Sequence, residues 1–98
     1  MKYRIIIQPS AEADIGEIYF FLREVYPPYA DRWLLSLHQA IDTLREMPRR
    51  CRLSPQGDDE EEEIRHLLHG DYRILFAIAG REVHVLHVRH SSFQSLES

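Results

Sequence analysis

The segment from Ile64 to His90, IRHLLHGDYRILFAIAGREVHVLHVRH, constrains the fold of this chain more than any other. Three runs rich in β-branched and aromatic residues, Ile64–Leu68, Tyr72–Ala79 and Glu82–His90, are separated by His69-Gly70-Asp71 and Gly80-Arg81. Glycine supplies the positive φ that tight hairpin turns require, so the segment predicts three consecutive strands joined by two short turns.

Register follows from matching apolar faces, because a slip of one residue turns every side chain over. A three-residue turn after Leu68 sets Leu68 opposite Tyr72 and Ile64 opposite Phe76. A two-residue turn at Gly80-Arg81 sets Phe76 opposite Val85 and Ile78 opposite Val83. The expected core face is then Ile64, Leu68, Tyr72, Ile74, Phe76, Ile78, Val83 and Val85. The other face carries Leu67, Leu75, Leu86 and Val88, with Arg65, Arg73 and His90 gathered toward one end.

Upstream, Tyr3 to Gln8 reads as a short apolar strand closed by Pro9. Ser10 is suited to an N-cap, and Glu12 and Asp14 fall in a first turn where the helix dipole favours acids. Ala11, Ile15, Ile18, Tyr19, Leu22 and Val25 then recur at helical spacing to about Tyr26, with Gly16 a mild weakness. Pro27-Pro28 ends this helix and opens a second, Pro28 to Met47, striped by Ala30, Trp33, Leu34, Leu37, Ile41 and Leu44. Two such helices form a hairpin whose stripes need a common surface to bury, and the sheet offers one. The predicted class is α+β in the order β-α-α-β-β-β, a helical hairpin on one face of a small, mainly antiparallel sheet. The first strand is expected at an edge, beside the last.

At 98 residues the chain is expected to be one domain, spanning residues 1–98 with an ordered core over about 3–91 and a polar tail over 92–98. Such a chain buries roughly 60–65% of its unfolded surface, enough for one core. No apolar run approaches the ~20 residues of a membrane span, and MKYRIIIQPS is too short in apolar core for a signal peptide. Cys51 is the single cysteine, which fits a reducing, cytoplasmic setting. The net charge of −4 argues against general nucleic-acid binding, yet Asp58–Glu63 alone supplies six acids. Without that run the balance would be +2 (−4 + 6), so the remainder is mildly basic.

Six histidines raise the question of a metal. On a regular strand His84 and His90 share a face far apart while His87 points away, and no Cys-x-x-Cys or His-Glu-x-x-His accompanies them. Neither a metal nor a cofactor is expected. Arg65, Arg73 and His90 are the residues suited to a phosphoryl site, since guanidinium forks grip phosphate and imidazole moves a proton near neutral pH. The plain alternative is that the arginines are solvated strand residues or partners of the acid run. Trp33, Tyr19, Tyr26 and Tyr29 read as core and hairpin packing before they read as a base-stacking platform.

Several motifs in order carry a resemblance. Pro9-Ser10-Ala11-x-x-Asp14-Ile15-x-x-Ile18 opens the first helix, Ala30-x-Arg32 lies in the second and Leu44-x-x-x-Pro48 closes it. Ile64-Arg65, Asp71-Tyr72-Arg73-Ile74 and Val85-Leu86-x-Val88-x-His90 follow. Together they resemble the ParE/RelE toxin superfamily of bacterial toxin–antitoxin systems, often labelled plasmid stabilisation proteins, over about residues 3 to 91. The resemblance implies a toxin held by a cognate antitoxin. RelE-like members cut messenger RNA on the ribosome, whereas ParE-like members act on DNA gyrase. Arg73 falls in the shared Tyr-Arg motif and Arg65 at a commonly basic position. Beyond the last strand, where RelE-like enzymes carry further basic residues and usually a tyrosine, this chain has Ser91, Ser92 and Phe93. Phe93 has no hydroxyl to exchange a proton, which favours the ParE branch and a gyrase target. The alternatives are a ribosome-dependent ribonuclease using Arg65, Arg73 and His90, or an inactive antitoxin-binding relic.

Target contact is accordingly expected from Arg65, Arg73, Arg89 and His90. Antitoxin contact is expected from the outer surface of the hairpin, at Phe20 (or its neighbour Phe21), Arg23, Tyr26, Tyr29 and Arg32, and beside a sheet edge.

Overall fold

The computed structural model describes residues 2–54 and 63–91. Asp58–Glu62 of the acid run and the 92–98 tail with Phe93 lie outside the described residues. The element order is β1 (Arg4–Ile7), α1 (Pro9–Val25), α2 (Pro27–Asp42), β2 (Arg65–His69), β3 (Tyr72–Ala79) and β4 (Glu82–His90).

Helix α1 begins with Pro9, whose missing N–H costs nothing in a first turn, behind Gln8 as N-cap. Ser10 is therefore not the cap. Its hydroxyl sits inside the first turn and donates to the Leu86 carbonyl at 2.6 Å. Tyr26, at φ −145°, is at once the C-cap of α1 and the N-cap of α2, and Pro27 forces that break. Helix α2 stops at Asp42, short of the expected Met47, and tightens into a 3-10 turn at Thr43–Arg45. Pro48 excludes the right-handed helical region for Met47, which takes φ 51° instead.

The four strands lie in the order β1-β4-β3-β2. The β2–β3 and β3–β4 pairs are antiparallel, and β1 runs parallel to β4 at the edge, beside the last strand as expected. Ile74, Phe76, Val83, Val85 and Val88 face the helices and pack with Ala11, Ile15, Leu22, Ala30, Trp33, Leu37 and Ile41. The 3.6-residue stripes and the two-residue strand period thus meet in one core. None of the described helices is long and apolar enough to cross a membrane.

Two departures change which residues share a face. The β2–β3 turn is Gly70-Asp71 alone, so His69 pairs with Tyr72 and Leu68 with Arg73. This one-residue slip inverts β2 relative to the expected register. Arg65 now lies opposite Phe76 and Leu67 opposite Ile74, toward the helices, while Leu68, expected in the core, is 60% exposed. Second, a β-bulge at Leu75/Phe76 pairs Phe76 with Val85 but Leu75 with His87, leaving Leu86 as the extra residue of β4. Beyond the bulge Val88 and His90 face the helices, opposite Ile74 and Tyr72. His84, opposite Ala77, faces away, so His84 and His90 do not share a face.

Candidate functional site

Arg65, Arg73 and His90 do not form one constellation. Arg65 acts as a strap. Its Nη1 donates to the carbonyls of Cys51 (2.6 Å) and Arg49 (3.3 Å), and its Nη2 lies 3.7 Å from Glu63. The side chain is 16% exposed, and the strand ahead of it is tied by Ser54 N–H to Ile64 and His66 N–H to Arg52. The expectation that Arg65 shares a phosphate-gripping face with Arg73 is therefore replaced by a role in holding residues 49–51 against β2. Glu63 is the one described member of the acid run, and it pairs with this arginine.

His90 lies at the helix-side end of the sheet. Its ring meets Tyr72 edge-on at 5.3 Å, and Tyr72 meets the buried Trp33 at 5.4 Å. Burial, then Tyr29 and Asp71, raises the Tyr72 phenol above its ordinary range.

Arg73 faces away from the helices, directly opposite Arg89 on β4. Its Nη1 lies 3.2 Å from His66 Nδ1. A guanidinium can only donate, so Nδ1 accepts and the ring proton sits on Nε2. Burial, then Arg73 and Arg52, lowers the His66 imidazole, which favours the neutral ring. Arg73 Nε is buried with no hydrogen-bond partner among the described residues. Two guanidiniums directly across a strand pair repel one another, an arrangement that weakens a sheet. The far face thus joins Arg73, Arg89 and His66. His66 was missed because the expected register placed it on the core side; a two-residue reading of the Gly70-Asp71 turn would have found it.

Between α1 and this same C-terminal end of β4 lies a cleft of about 340 Å³. One wall is α1, with Asp14, Glu17, Ile18 and Phe21; the other includes Tyr72, Val88, Arg89 and His90. Asp14 does not serve the helix dipole as expected. It reaches across to β4, where its Oδ2 accepts from the Val88 N–H (3.0 Å) and lies 2.9 Å from His87 Nδ1. The bulge turns those two groups toward it. No group of three or more His, Cys, Asp or Glu side chains among the described residues is placed to hold a metal ion.

The hairpin's outer surface carries the remaining expected residues. Phe20 and Tyr26 are each 67% exposed, and Phe21 and Tyr29 follow at 59% and 43%. Trp33 packs in the core, and Tyr19 packs partly against it while donating its hydroxyl to Asp31. Arg23 lies 6.0 Å over the Tyr19 ring, and Arg32 is exposed on α2. Four exposed aromatic side chains near one elbow exceed what the fold itself requires.

A family model for the ParE toxin of the type II toxin–antitoxin system, parDE, matches residues 5–94. The chain belongs to the ParE toxin family. The fold is also that of solved toxin–antitoxin structures. A chain of the chromosomal ParDE TA system from P. aeruginosa superposes with a TM-score of 0.73 at 16% identity, covering 91% of this chain and 96% of that one. A chain of the toxin–antitoxin complex RelBE2 from Mycobacterium tuberculosis gives 0.66 at 22% identity, with 92% of each chain covered. Both share the arrangement of two helices on a four-stranded mixed sheet, and at these identities the likeness is one of fold. No curated protein matches the chain.

Proposed function

We propose that this ParE-type toxin is neutralised by a cognate antitoxin and acts by binding DNA gyrase rather than by cleaving RNA. The observation that carries the choice of target is the scattering of Arg65, Arg73 and His90. Arg65 is bonded to backbone carbonyls, and His90 packs edge-on against Tyr72 on the opposite face from Arg73. Phosphoryl transfer to the RNA's own 2′-hydroxyl needs charge stabilisation and proton transfer converging on one phosphate. Target contact is assigned instead to Arg73 and Arg89, whose adjacent guanidiniums on the far face complement a protein surface bearing carboxylates.

The test is a gyrase supercoiling assay run beside programmed ribosomes. The wild type inhibits supercoiling and leaves the messenger intact, and Arg73→Ala inhibits only at higher concentration. Codon-positioned cleavage by the wild type, lost in Arg73→Ala, would overturn the reading.

One observation favours the second reading, a ribosome-dependent ribonuclease. His66 is held neutral beside Arg73, a pairing of base and cation that such an enzyme would use. In that case His66→Ala abolishes cleavage and His90→Ala does not.

The antitoxin is assigned to the hairpin's exposed aromatic elbow, as the solved relatives are toxin–antitoxin assemblies. Charge reversal at Arg23 and Arg32 weakens antitoxin binding and steepens its salt dependence. Unchanged affinity in both variants would move the interface elsewhere.

A further inference from the structure

We infer that the cleft between α1 and the end of β4 receives a short segment of a protein partner that presents one bulky apolar side chain next to a lysine or arginine. The inference rests on the proposed function only in requiring a protein partner, and it adds the place and chemistry of the contact.

Asp14, Glu17 and Phe21 are spaced three and four residues apart, so they line one strip of α1. The strip lies one step around the helix from Ile15 and Leu22, which already fill the core. Phe21 therefore contributes a large ring, 59% exposed, that the fold does not use. The facing wall exists because β1 is short. It pairs with Glu82–Val85 only, whereas β4 runs on to His90. Among the described residues, the last stretch of β4 consequently has α1, and no strand, along its outer side.

Charge selects the occupant. Asp14 is engaged by Val88 and His87, and Arg89 and His90 also have interactions of their own. Glu17 has no ion pair or hydrogen-bonding partner for its carboxylate among the described residues. Among the described residues at the cleft, the uncommitted charge is the negative one of Glu17, one turn from Phe21, so an incoming segment gains by placing a cation beside its apolar anchor. A cleft of about 340 Å³ falls at the small end of the ~300–1,000 Å³ range of binding pockets, which suits a side chain and its neighbours rather than a folded surface.

Occupancy has an internal reporter. Trp33 is the chain's one tryptophan, and it meets edge-on the ring of Tyr72, which lines the cleft. The probe is a phage-displayed library of random seven-residue peptides panned against the intact chain, with the strongest binder then titrated as a synthetic peptide while Trp33 emission is read. The expected consensus is a bulky apolar residue adjacent to Lys or Arg. Glu17→Lys lowers affinity for that peptide roughly tenfold, as loss of one charge-assisted contact predicts, and selects acidic residues when panned itself. Phe21→Ala removes the apolar preference. Both side chains are exposed, so each variant keeps the wild-type circular dichroism spectrum and unfolding midpoint. Absence of any consensus, or a consensus bound equally by wild type, Glu17→Lys and Phe21→Ala, overturns the inference. Self-association lost in Phe21→Ala assigns the cleft to a second copy and overturns it equally. Growth arrest by the wild type, measured separately, fails if the toxin reading is wrong and persists if only the cleft is misassigned.

Discussion

Neighbouring residues of β3 look out on two different environments. Ile74 and Phe76 are fully buried against the helices, while Arg73, one step away, faces Arg89 and His66 on the far side of the sheet. The helix side holds apolar groups whose removal from water drives folding. The far side keeps a guanidinium nitrogen that is buried without a partner among the described residues, and two like charges in register, both of which cost stability. The helix side has an orphan of its own in Trp33 Nε1, so gathered charge is what sets the far face apart and marks it for contact rather than folding. The far face is not bare, since Leu75 and Ala77 are each 5% exposed there. Its polar groups are thus held on a firm base.

The largest expected effect lies on the helix side. Phe76→Ala removes a ring from the centre of the core and should cost about 3–5 kcal/mol in chemical denaturation. That is a large share of the ~5–15 kcal/mol that holds a domain folded. A loss below about 1 kcal/mol would mean that the two faces are not divided as described.

Arg65→Ala comes next. Losing its bonds to the Cys51 and Arg49 carbonyls should cost about 1–3 kcal/mol, although arginine is the residue type expected on the contact side. Stability equal to wild type, with a changed target affinity, would return Arg65 to the site.

The register of β2 is tested by a pair of neighbours. Leu67→Ala, at a position packed against the core, should cost about 1–2 kcal/mol, and Leu68→Ala less than about 0.5 kcal/mol. The reverse order would restore the three-residue turn.

The smallest effect is one of pH. Burial, Arg73 and Arg52 hold His66 below its ordinary value of 6.5, so the unfolded chain binds that proton more readily than the folded one. The stability linked to neutral His66 is complete above that unfolded value and is lost as pH falls through it. His66→Gln should therefore lose less stability between neutral and mildly acidic pH than the wild type. In Arg73→Ala the His66 titration, followed by NMR, should move upward. No movement would detach His66 from Arg73.

The order of elements, the two apolar stripes and the placement of β1 beside β4 could all be read from the sequence, because each rests on a local period or on a proline. The far-face site could not. Leu67 and Leu68 are both apolar, so hydrophobic matching cannot choose between a two- and a three-residue turn at Gly70, and that single residue decides where Arg65 and His66 point. The bulge at Leu86 does leave a mark, because VHVLHVRH breaks its alternation at Val85-Leu86, but a register carried straight through the run passes over it. Its other signs are tertiary: Ser10 and Asp14 bond backbone groups of β4 that regular pairing would leave elsewhere. Arg65 is drawn inward by carbonyls 14 and 16 residues away, a pull that no local pattern records.

The division of the sheet into a folding face and a contact face is tested most directly by Arg73→Ala, with growth arrest on expression and the unfolding midpoint measured on the same variant. The account predicts an unfolding midpoint close to wild type together with loss of arrest. A variant that folds as well as wild type and arrests growth as strongly would contradict it.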